Sequence, residues 1–214
     1  MVDSTGAWRS VVPSGFVPLL GVVETVAGGS YALRRAENMQ QMTVFEHVRH
    51  ADAACTELRQ QLLDTWVAVT DAGGAVGFVP PADPEEIAPA LDAALARVID
   101  GRDELGVLRR DGAAVGMGFV AAHTSALRRH WRTVLRVMVD PELQGSGAGG
   151  QLLEGLHGIA RSLGLEQLHL TVRGGTGVEG FYERFGYTVI GRHPGAVRVA
   201  PGDDRDELIL VKRL

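Results

Sequence analysis

The segment from Val137 to Leu153 constrains the fold of this chain more than any other part of the sequence. It reads Val-Met-Val-Asp-Pro-Glu-Leu-Gln-Gly-Ser-Gly-Ala-Gly-Gly-Gln-Leu-Leu, which predicts an apolar strand, a glycine-rich turn and an amphipathic helix in immediate succession. Glycines let the backbone approach a phosphate closely, and the free N–H groups at the start of a helix favour negative charge. The segment therefore predicts an anion-binding cradle, to which Gln144 can add a side-chain donor.

Three other interpretations of this turn demand different residues. The phosphate loop of a nucleoside triphosphatase needs Gly-Lys followed by Ser or Thr at the helix start, and Gly149-Gly-Gln151 stands there instead. A dinucleotide-binding fingerprint finds its glycine spacing between Gly145 and Gly150, with Glu166 at a suitable distance. That fingerprint belongs near the first strand of a long parallel sheet, however, and little chain follows here. Glycines that only shape a tight turn are the third interpretation, but a turn needs fewer of them.

Periodic patterns on both sides of this segment predict a mixed α/β domain. Before it, apolar residues at three- and four-residue steps predict a helix that ends at Asp71-Ala-Gly-Gly74. Asp83 followed by Pro84 predicts the start of a second helix, which runs to Ile99. Strands are predicted at residues 43–48, 106–110, 114–121, 133–139, 167–172, 187–190 and 207–211, and a short helix at 178–184. This order predicts a three-layer α/β or α+β domain with a mixed sheet.

Composition narrows the classes of partner. The formal net charge is −5, and no basic run is denser than Leu127–Arg132, so we expect no nucleic-acid partner. The single cysteine, Cys55, excludes an intramolecular disulfide and a multi-thiolate metal site, which agrees with a cytoplasmic location. Because Cys55 lies three residues before Leu58 on the apolar stripe of the first helix, we expect it to be a buried structural thiol.

The first forty residues form a separate segment. The apolar stretch from Val11 to Val23 is interrupted by prolines and glycines and is followed by Glu24, which favours neither a membrane anchor nor a secretory signal. We expect residues 1–40 to be a poorly ordered extension, which could reflect an upstream start codon or fold over the acceptor site as a lid. The folded domain is predicted at residues 41–214.

Two motifs resemble the signatures of one enzyme family. Gln144-Gly-Ser-Gly-Ala-Gly149 resembles the [Gln/Arg]-x-x-Gly-x-[Gly/Ala] motif of GNAT acetyltransferases, and it follows an apolar strand as it does there. Phe181-Tyr-Glu-Arg-Phe-Gly-Tyr187 resembles the second signature of that family, an aromatic-Tyr pair on a short helix and a glycine followed by an aromatic residue. With the order of elements, the resemblance to the GNAT superfamily extends from residue 43 to residue 214.

The resemblance implies a fold and a co-substrate. The implied fold is a mixed, mostly antiparallel central sheet flanked by helices, in which two parallel strands splay apart and hold coenzyme A. The implied reaction is direct transfer of an acetyl group from acetyl-CoA to a primary amine, without a metal. The residues that the resemblance assigns to acetyl-CoA are Val137, Met138, Val139, Gln144, Gly145, Ser146, Gly147, Ala148, Gly149, Gly150 and Tyr182.

Tyr182 and Glu179 are the candidate catalytic residues. Tyr182 matches the family tyrosine that protonates or hydrogen-bonds the sulfur of coenzyme A, and an ordinary phenol pKa of about 10 keeps it protonated at neutral pH. The family position for the oxyanion donor falls on the Met138 backbone N–H. The amine must react in its neutral form, so a base is needed, and Glu179 lies one turn before Tyr182. The other candidates for the base are His193, His123 and His169.

The acceptor and the acyl group stay open at this stage. Gly77-Phe-Val-Pro-Pro81 and the strand Arg136–Val139 resemble the branch that contains the tabtoxin resistance acetyltransferase, which implies a small-molecule amine or an amino-acid-like substrate. Two alternatives are a non-catalytic acyl-CoA-binding sensor that contacts a protein partner, and a transferase of a longer acyl group such as succinyl. The glycine turn would read only the pyrophosphate that these share. By analogy, two copies could form a homodimer through the exposed edge of the last strands.

Overall fold

A seven-stranded sheet organises residues 42–214, the part of the chain that the computed structural model describes. Neighbouring strands are antiparallel except β4 and β5, which are parallel. The predicted mixed, mostly antiparallel sheet is therefore confirmed. The extension predicted for residues 1–40 lies outside the described residues. In the order β1-β2-β3-β4-β5-β7-β6, the strands are β1 (Val44–Val48), β2 (Glu104–Arg110), β3 (Ala113–Ala121), β4 (Trp131–Val139), β5 (Gln167–Arg173), β6 (Thr188–Ala200) and β7 (Asp203–Arg213).

Within residues 42–214, four α-helices flank the sheet, and the local sequence at their first residues explains where they begin. They are α1 (Thr56–Asp71), α2 (Pro84–Ile99), α3 (Ala148–Ser162) and α4 (Glu179–Glu183). The side chain of Asp83 accepts a hydrogen bond from the Glu85 N–H at 2.8 Å, as predicted for the start of α2. The prediction of a buried Cys55 is wrong, because Cys55 is the N-cap of α1 and is exposed. A cap precedes the first helical turn and so does not continue the apolar stripe.

Two hydrophobic clusters cover the two faces of the sheet. One is built by α1 and α2 and includes Trp66 and Met117, which are both fully buried. The other is built by α3 and includes Leu152 and Leu156. A strand points successive side chains to opposite faces, and β2, β3 and β4 contribute to both clusters. The cavity described below opens between the two clusters, at the middle of the sheet.

The parallel pair β4 and β5 separates after only three residue pairs. Trp131 pairs with Gln167, and the pairing ends at Thr133 and His169. Beyond this point β4 continues to Val139 without hydrogen bonds to β5. Each strand stays paired on its other side, β4 with β3 and β5 with β7. The sheet is therefore split along its centre, and one backbone edge of each strand faces the gap.

A bulge in β4 shifts the alternation of its side chains. Phe119 pairs with Leu135 and Met117 pairs with Met138, so β4 has one residue more than β3 between these pairs. Arg136 has a φ of 52°, in the left-handed region that side chains rarely adopt. Because of the extra residue, Leu135 and Met138 both belong to the cluster of α1 and α2 although they lie three positions apart.

The hairpin of β6 and β7 is much longer than the two short strands predicted at residues 187–190 and 207–211. Most of β6 is exposed, so its sequence lacks the alternation of buried and exposed residues that predicts strands. Cross-strand ion pairs accompany the pairing instead. The Arg198 guanidinium donates two hydrogen bonds to Asp204, at 2.6 and 2.8 Å, directly across the ladder.

Candidate functional site

A cavity of about 850 Å³ lies where β4 and β5 separate. Its walls come from both strands, the glycine turn at the start of α3, the helix α4 and the connection between α1 and α2. Most of the sequence-predicted site residues meet here. The lining includes Val137, Met138, Val139, Gln144, Gly145, Gly147, Gly149, Gly150 and Tyr182, but not Ser146, Ala148 or Glu179.

The glycine turn is held by hydrogen bonds of its own residues. Asp140 accepts a hydrogen bond from the Glu142 N–H at 2.9 Å, and the Ser146 hydroxyl donates to the Leu143 carbonyl at 2.6 Å. Gly147 has a φ of 95°, which a residue with a side chain adopts only with strain. Ser146 therefore supports the shape of the turn from outside the cavity.

The turn leaves a row of backbone donors without partners. The N–H groups of Gln144 and Ser146 donate to carbonyl oxygens within the turn. No backbone acceptor among residues 42–214 takes a hydrogen bond from the N–H groups of Gly145, Gly147, Gly149 or Gly150. They lie at the positive end of the dipole of α3, where donors have no intrahelical acceptor. This group, called the glycine cradle below, has the geometry of an anion-binding site.

The last glycine of the cradle also has a packing role. A Cβ atom built on Gly150 would lie 2.8 Å from the ring of Phe185, which is too close for two carbon atoms. A Cβ on Gly149 would lie 3.7 Å from the ring of Phe181, an ordinary contact. A Cβ on Gly147 would meet nothing within 4 Å. The glycine at position 150 thus lets the segment after α4 pack closely on α3.

Tyr182 lies in the wall of the cavity beside the cradle. Its side chain is 8% exposed, and the ring contacts Phe181 and Tyr187 edge-on, at centroid distances of 5.1 and 5.6 Å. Burial raises the pKa of Tyr182 to about 12, because the phenolate loses hydration there. The phenol therefore stays protonated at neutral pH and can donate a hydrogen bond into the cavity.

Tyr187, which contacts Tyr182, is held in place by a buried contact with His157. Tyr187 is 3% exposed, and its hydroxyl lies 3.2 Å from Nε2 of His157 on α3. His157 is fully buried, and burial lowers its pKa to about 4 although the Glu154 carboxylate opposes the shift. At neutral pH the imidazole is neutral, and it links α3 to the aromatic residues around Tyr182.

The four candidates for the base lie away from the cavity lining. One carboxylate oxygen of Glu179 is buried and has no hydrogen-bond partner within the described part of the chain. The rings of His123 and His169 both contact the ring of Trp131 in tilted arrangements, at centroid distances of 4.0 and 5.5 Å. His193 lies in the exposed strand β6. The identity of the base stays a prediction.

The wall opposite α3 contains a residue that the sequence interpretation did not assign to the site. The guanidinium of Arg136 lies over the indole of Trp66, 4.7 Å from its centroid, and Arg136 lines the cavity. The Trp66 N–H donates to the Val76 carbonyl at 3.1 Å, and its ring contacts Phe78. Trp66 thus fixes the connection between α1 and α2 and supports Arg136. A strand with regular alternation would have turned Arg136 toward α3.

Residues 42–214 show neither of two other kinds of site. No three or more His, Cys, Asp and Glu side chains in that range are placed to hold a metal ion. No helix in the same range is long and apolar enough to cross a membrane.

Comparisons with known proteins agree with this geometry. Residues 79–196 match the family model of the acetyltransferase (GNAT) domain, which covers more than half of the chain. Structures of similar fold include a GNAT-family acetyltransferase from Streptococcus pneumoniae, at 17% sequence identity and a TM-score of 0.63, covering 81% of this chain and 100% of that chain. The ribosomal-protein-alanine N-acetyltransferase from Brucella melitensis has 21% identity and a TM-score of 0.63, covering 80% of this chain and 99% of that chain. The yncA protein from Salmonella typhimurium, solved with its cofactor acetyl-CoA, has 18% identity and a TM-score of 0.63, covering 81% of this chain and 95% of that chain.

At these identities the structural likeness shows a shared fold, and the match to the family model carries the assignment. The split sheet, the glycine cradle and the family match agree with one another. The chain therefore belongs to the GNAT family of acetyltransferases.

Proposed function

We propose that this protein transfers the acetyl group of acetyl-CoA to a primary amine of a small molecule or an amino-acid-like substrate. The observation that carries the proposal is the glycine cradle, in which four glycine N–H groups at the start of α3 have no backbone acceptor and so suit an anion. The acetyl-CoA-bound neighbour from Salmonella typhimurium shows that a protein of this fold holds the same co-substrate.

The cavity has the features that acetyl-CoA requires. The glycine cradle would hold the pyrophosphate, with Gln144 as an additional donor, because N–H groups at a helix start bind phosphate well. The backbone edge of Val137–Val139 that faces the gap would pair with the amides of the pantetheine. The Tyr182 phenol lies in the same wall and would reach the sulfur of the thioester.

The reaction follows from these positions. The neutral amine nitrogen attacks the thioester carbonyl and forms a tetrahedral intermediate, whose oxyanion would take a hydrogen bond from the Met138 N–H. The intermediate collapses with cleavage of the carbon–sulfur bond. The departing thiolate takes a proton from Tyr182 or a hydrogen bond from it, and the nitrogen loses a proton to a base. We propose Glu179 as this base, acting through water because it does not line the cavity.

The two alternative functions require different features of the cavity from those that the proposed function requires. A non-catalytic acyl-CoA sensor would need the glycine cradle but no protonated phenol beside the sulfur, so the position and raised pKa of Tyr182 favour an enzyme. A transferase of a longer acyl group would use the same cradle and the same phenol. The size of the acyl pocket distinguishes that case, and measured turnover with succinyl-CoA tests it directly.

The exposed edge strand supports a homodimer as part of the proposal. β6 ends the sheet, and Ile190 on it is 64% exposed. An edge strand of this length offers unpaired backbone groups to a second copy. Light scattering after size-exclusion chromatography tests this, and a monomer at all concentrations would contradict it.

The first experiment measures binding and turnover in that order. Calorimetric titration with acetyl-CoA should show micromolar binding, and a thiol-release assay with an amine library should then show turnover. Cys55 is exposed and is the only cysteine of the sequence, so the Cys55→Ser variant removes the protein's own signal from a thiol reagent. A folded wild-type protein that binds no acetyl-CoA would overturn the proposal, and one that binds it but acetylates no amine would favour the sensor.

A further inference from the structure

Arg136 is a cation in the cavity wall without a counterion. No side chain or carbonyl within residues 42–214 forms a hydrogen bond or an ion pair with its guanidinium, and its one close partner is the face of Trp66 at 4.7 Å. The donors of the opposite wall are the N–H groups of the glycine cradle, which the proposed function assigns to the pyrophosphate. An arginine that serves only packing usually keeps its charged end in water or against a carboxylate. Arg136 has no carboxylate partner within the described chain, and its side chain is only partly exposed, in the cavity.

The backbone at this position is arranged to aim the side chain. Arg136 is the extra residue of the bulge in β4, and its φ of 52° costs energy that glycine would not incur. Bulges often direct a side chain beside an active site. Here the bulge turns Arg136 to the face of α1, over Trp66, and away from the cluster of α3. The chain therefore keeps a strained arginine on the side of the gap opposite the glycine cradle. This side is called the acceptor side below, because the cradle side would hold the co-substrate.

The surroundings of Arg136 contrast with those of the paired arginines. Burial lowers the pKa of Arg136, and no carboxylate opposes the shift. The Asp103 carboxylate raises the pKa of Arg97, which it binds through two hydrogen bonds of 2.6 Å. Arginine keeps its charge even when it is partly buried. The charge on Arg136 is therefore partly desolvated and without compensation inside the described chain.

The cavity lining carries positive side chains in addition to the N–H groups of the glycine cradle, so it can bind more negative charge than the cradle alone. Its lining contains Arg136, Arg173 and Arg184 and neither Asp nor Glu. Arg184 lies on the side of the cradle, because it stacks on Phe181, 6.0 Å from the ring centroid. Arg173 is tied to the Gly73 carbonyl at 3.3 Å. Arg136 is thus the arginine of the acceptor side whose donors are free.

We propose that Arg136 binds a carboxylate on the acceptor, so that the substrate is an amino acid or another amine that carries a carboxylate. This inference rests on the proposed acetyl transfer and names its substrate class. A guanidinium with free donors matches a carboxylate in a bidentate geometry, and Trp66 holds its plane from behind. Pairing there would orient the amine toward the thioester beside Val137–Val139.

Paired substrates test the preference without altering the protein. In the Cys55→Ser background, kcat/KM per neutral amine is compared between free amino acids and their methyl esters, because the ester lacks the negative charge and also has an amine of lower pKa. We expect the acids to be preferred by 10- to 100-fold, on the order of one charge-assisted pair. Equal rates for acids and esters in an active enzyme would overturn the inference and leave the proposed function standing.

Two variants then assign the preference to Arg136. Arg136→Met keeps the apolar stem on Trp66, and Arg136→Gly suits the left-handed backbone and guards against a folding defect. We expect each to lose the preference for acids, with unchanged rates on the esters and an unchanged Kd for acetyl-CoA. Arg102→Met is the matched control, because Arg102 is an exposed surface arginine paired with Asp100, and it should keep the preference.

Each other result has one meaning. A variant that slows acids and esters equally would show a structural role, and one that raises the Kd of acetyl-CoA would show a contact with the co-substrate. Both results would overturn the carboxylate site while acetyl transfer stays established. Failure of the wild-type protein to bind acetyl-CoA would instead overturn the proposed function, and the inference with it.

Discussion

The two walls of the cavity address negative charge by different means. The glycine cradle uses backbone N–H groups and the dipole of α3, and its side chains contribute little. The wall of α1 uses one side chain, Arg136, aimed by a bulge and supported by Trp66. The first wall needs glycines at fixed spacing, which a motif records. The second depends on a single residue that can change without disturbing the first.

This difference separates recognition of the co-substrate, which the family shares, from recognition of the acceptor, which varies among its members. Under the proposed function, backbone recognition would read the pyrophosphate shared by all coenzyme A derivatives, which suits a feature common to the family. Side-chain recognition on the other wall selects the acceptor, so relatives with the same cradle can have different substrates. Four changes test the division, and their expected effects decrease from the first to the last.

The largest effect is expected for Gly147→Glu. The substitution places a side chain and a negative charge in the glycine cradle, and like charges brought together cost several kcal/mol, so the Kd for acetyl-CoA should rise about 10³-fold. Calorimetric titration measures it. Gly112→Glu is the matched control, because Gly112 has a similar φ of 85° and equally open surroundings but lies in the hairpin of β2 and β3. Equal loss of binding in both variants would mean that backbone strain, rather than the cradle, is responsible.

The acid stability of the cradle wall is expected to depend on His157. Its pKa is about 4 in the folded protein and about 6.5 when unfolded, so the unfolded state binds the proton first as pH falls. The contribution to stability is present above pH 6.5 and is lost as the pH falls to 4. It is on the order of 3 kcal/mol. Urea unfolding at pH 7 and pH 4 should show a smaller loss in His157→Gln than in wild type.

His130 provides the comparison for that measurement, because it is an exposed histidine. His130→Gln should lose as much stability in acid as the wild-type protein does. An unchanged acid response in His157→Gln would show that other groups, such as the paired carboxylates, govern the transition.

The role of Tyr182 is tested by Tyr182→Phe. The ring would keep its contacts with Phe181 and Tyr187, but the donor to the thiolate is lost, so kcat should fall about 10²-fold with little change in the Kd for acetyl-CoA. Tyr187→Phe removes a hydroxyl that bonds to His157 and does not line the cavity. It should lower the stability and spare kcat. A Tyr182→Phe enzyme with full activity would remove the acid from the mechanism.

The smallest effect separates the two last glycines of the cradle. Gly150→Ala brings a Cβ against the Phe185 ring and should lower the free energy of unfolding by about 1–2 kcal/mol. Gly149→Ala meets only ordinary contacts and should be neutral or stabilise the helix by up to about 1 kcal/mol. Thermal unfolding of the two variants decides this, and equal stabilities would contradict the packing role of Gly150.

The strand, turn and helix of the cradle wall could be predicted from the sequence because short-range rules create them. The apolar strand, the turn and the helix are contiguous, and Tyr182 follows in a second local motif. The mixed, mostly antiparallel sheet was implied by the resemblance, and the structure confirms it. Cys55 was misplaced by a single position at the start of α1, where the cap falls outside the helical period.

Arg136 could not be predicted from the alternation of its strand. Its direction depends on the bulge, which arises from the register of β3 against β4, with Gly118 opposite the extra residue. Its support by Trp66 depends on the packing of α1, whose residues lie far away in the sequence. Both are long-range features. The ion-paired hairpin of β6 and β7 escaped for a related reason, because its strands are stabilised by partners across the ladder and lack an apolar face.

Because β4 and β5 pair over so few residues, the stability of the protein should depend on the concentration of acetyl-CoA. Three residue pairs join the two halves of the sheet, and the backbone groups beyond them need partners from outside residues 42–214. An extended ligand bound along that gap would bridge the two halves of the sheet. It would dissociate when the halves separate during unfolding. Mass action then makes resistance to heat rise with ligand concentration, by about 2.7 kcal/mol at a hundred times the Kd. A low concentration of the co-substrate would thus slow the enzyme and also lower its resistance to unfolding.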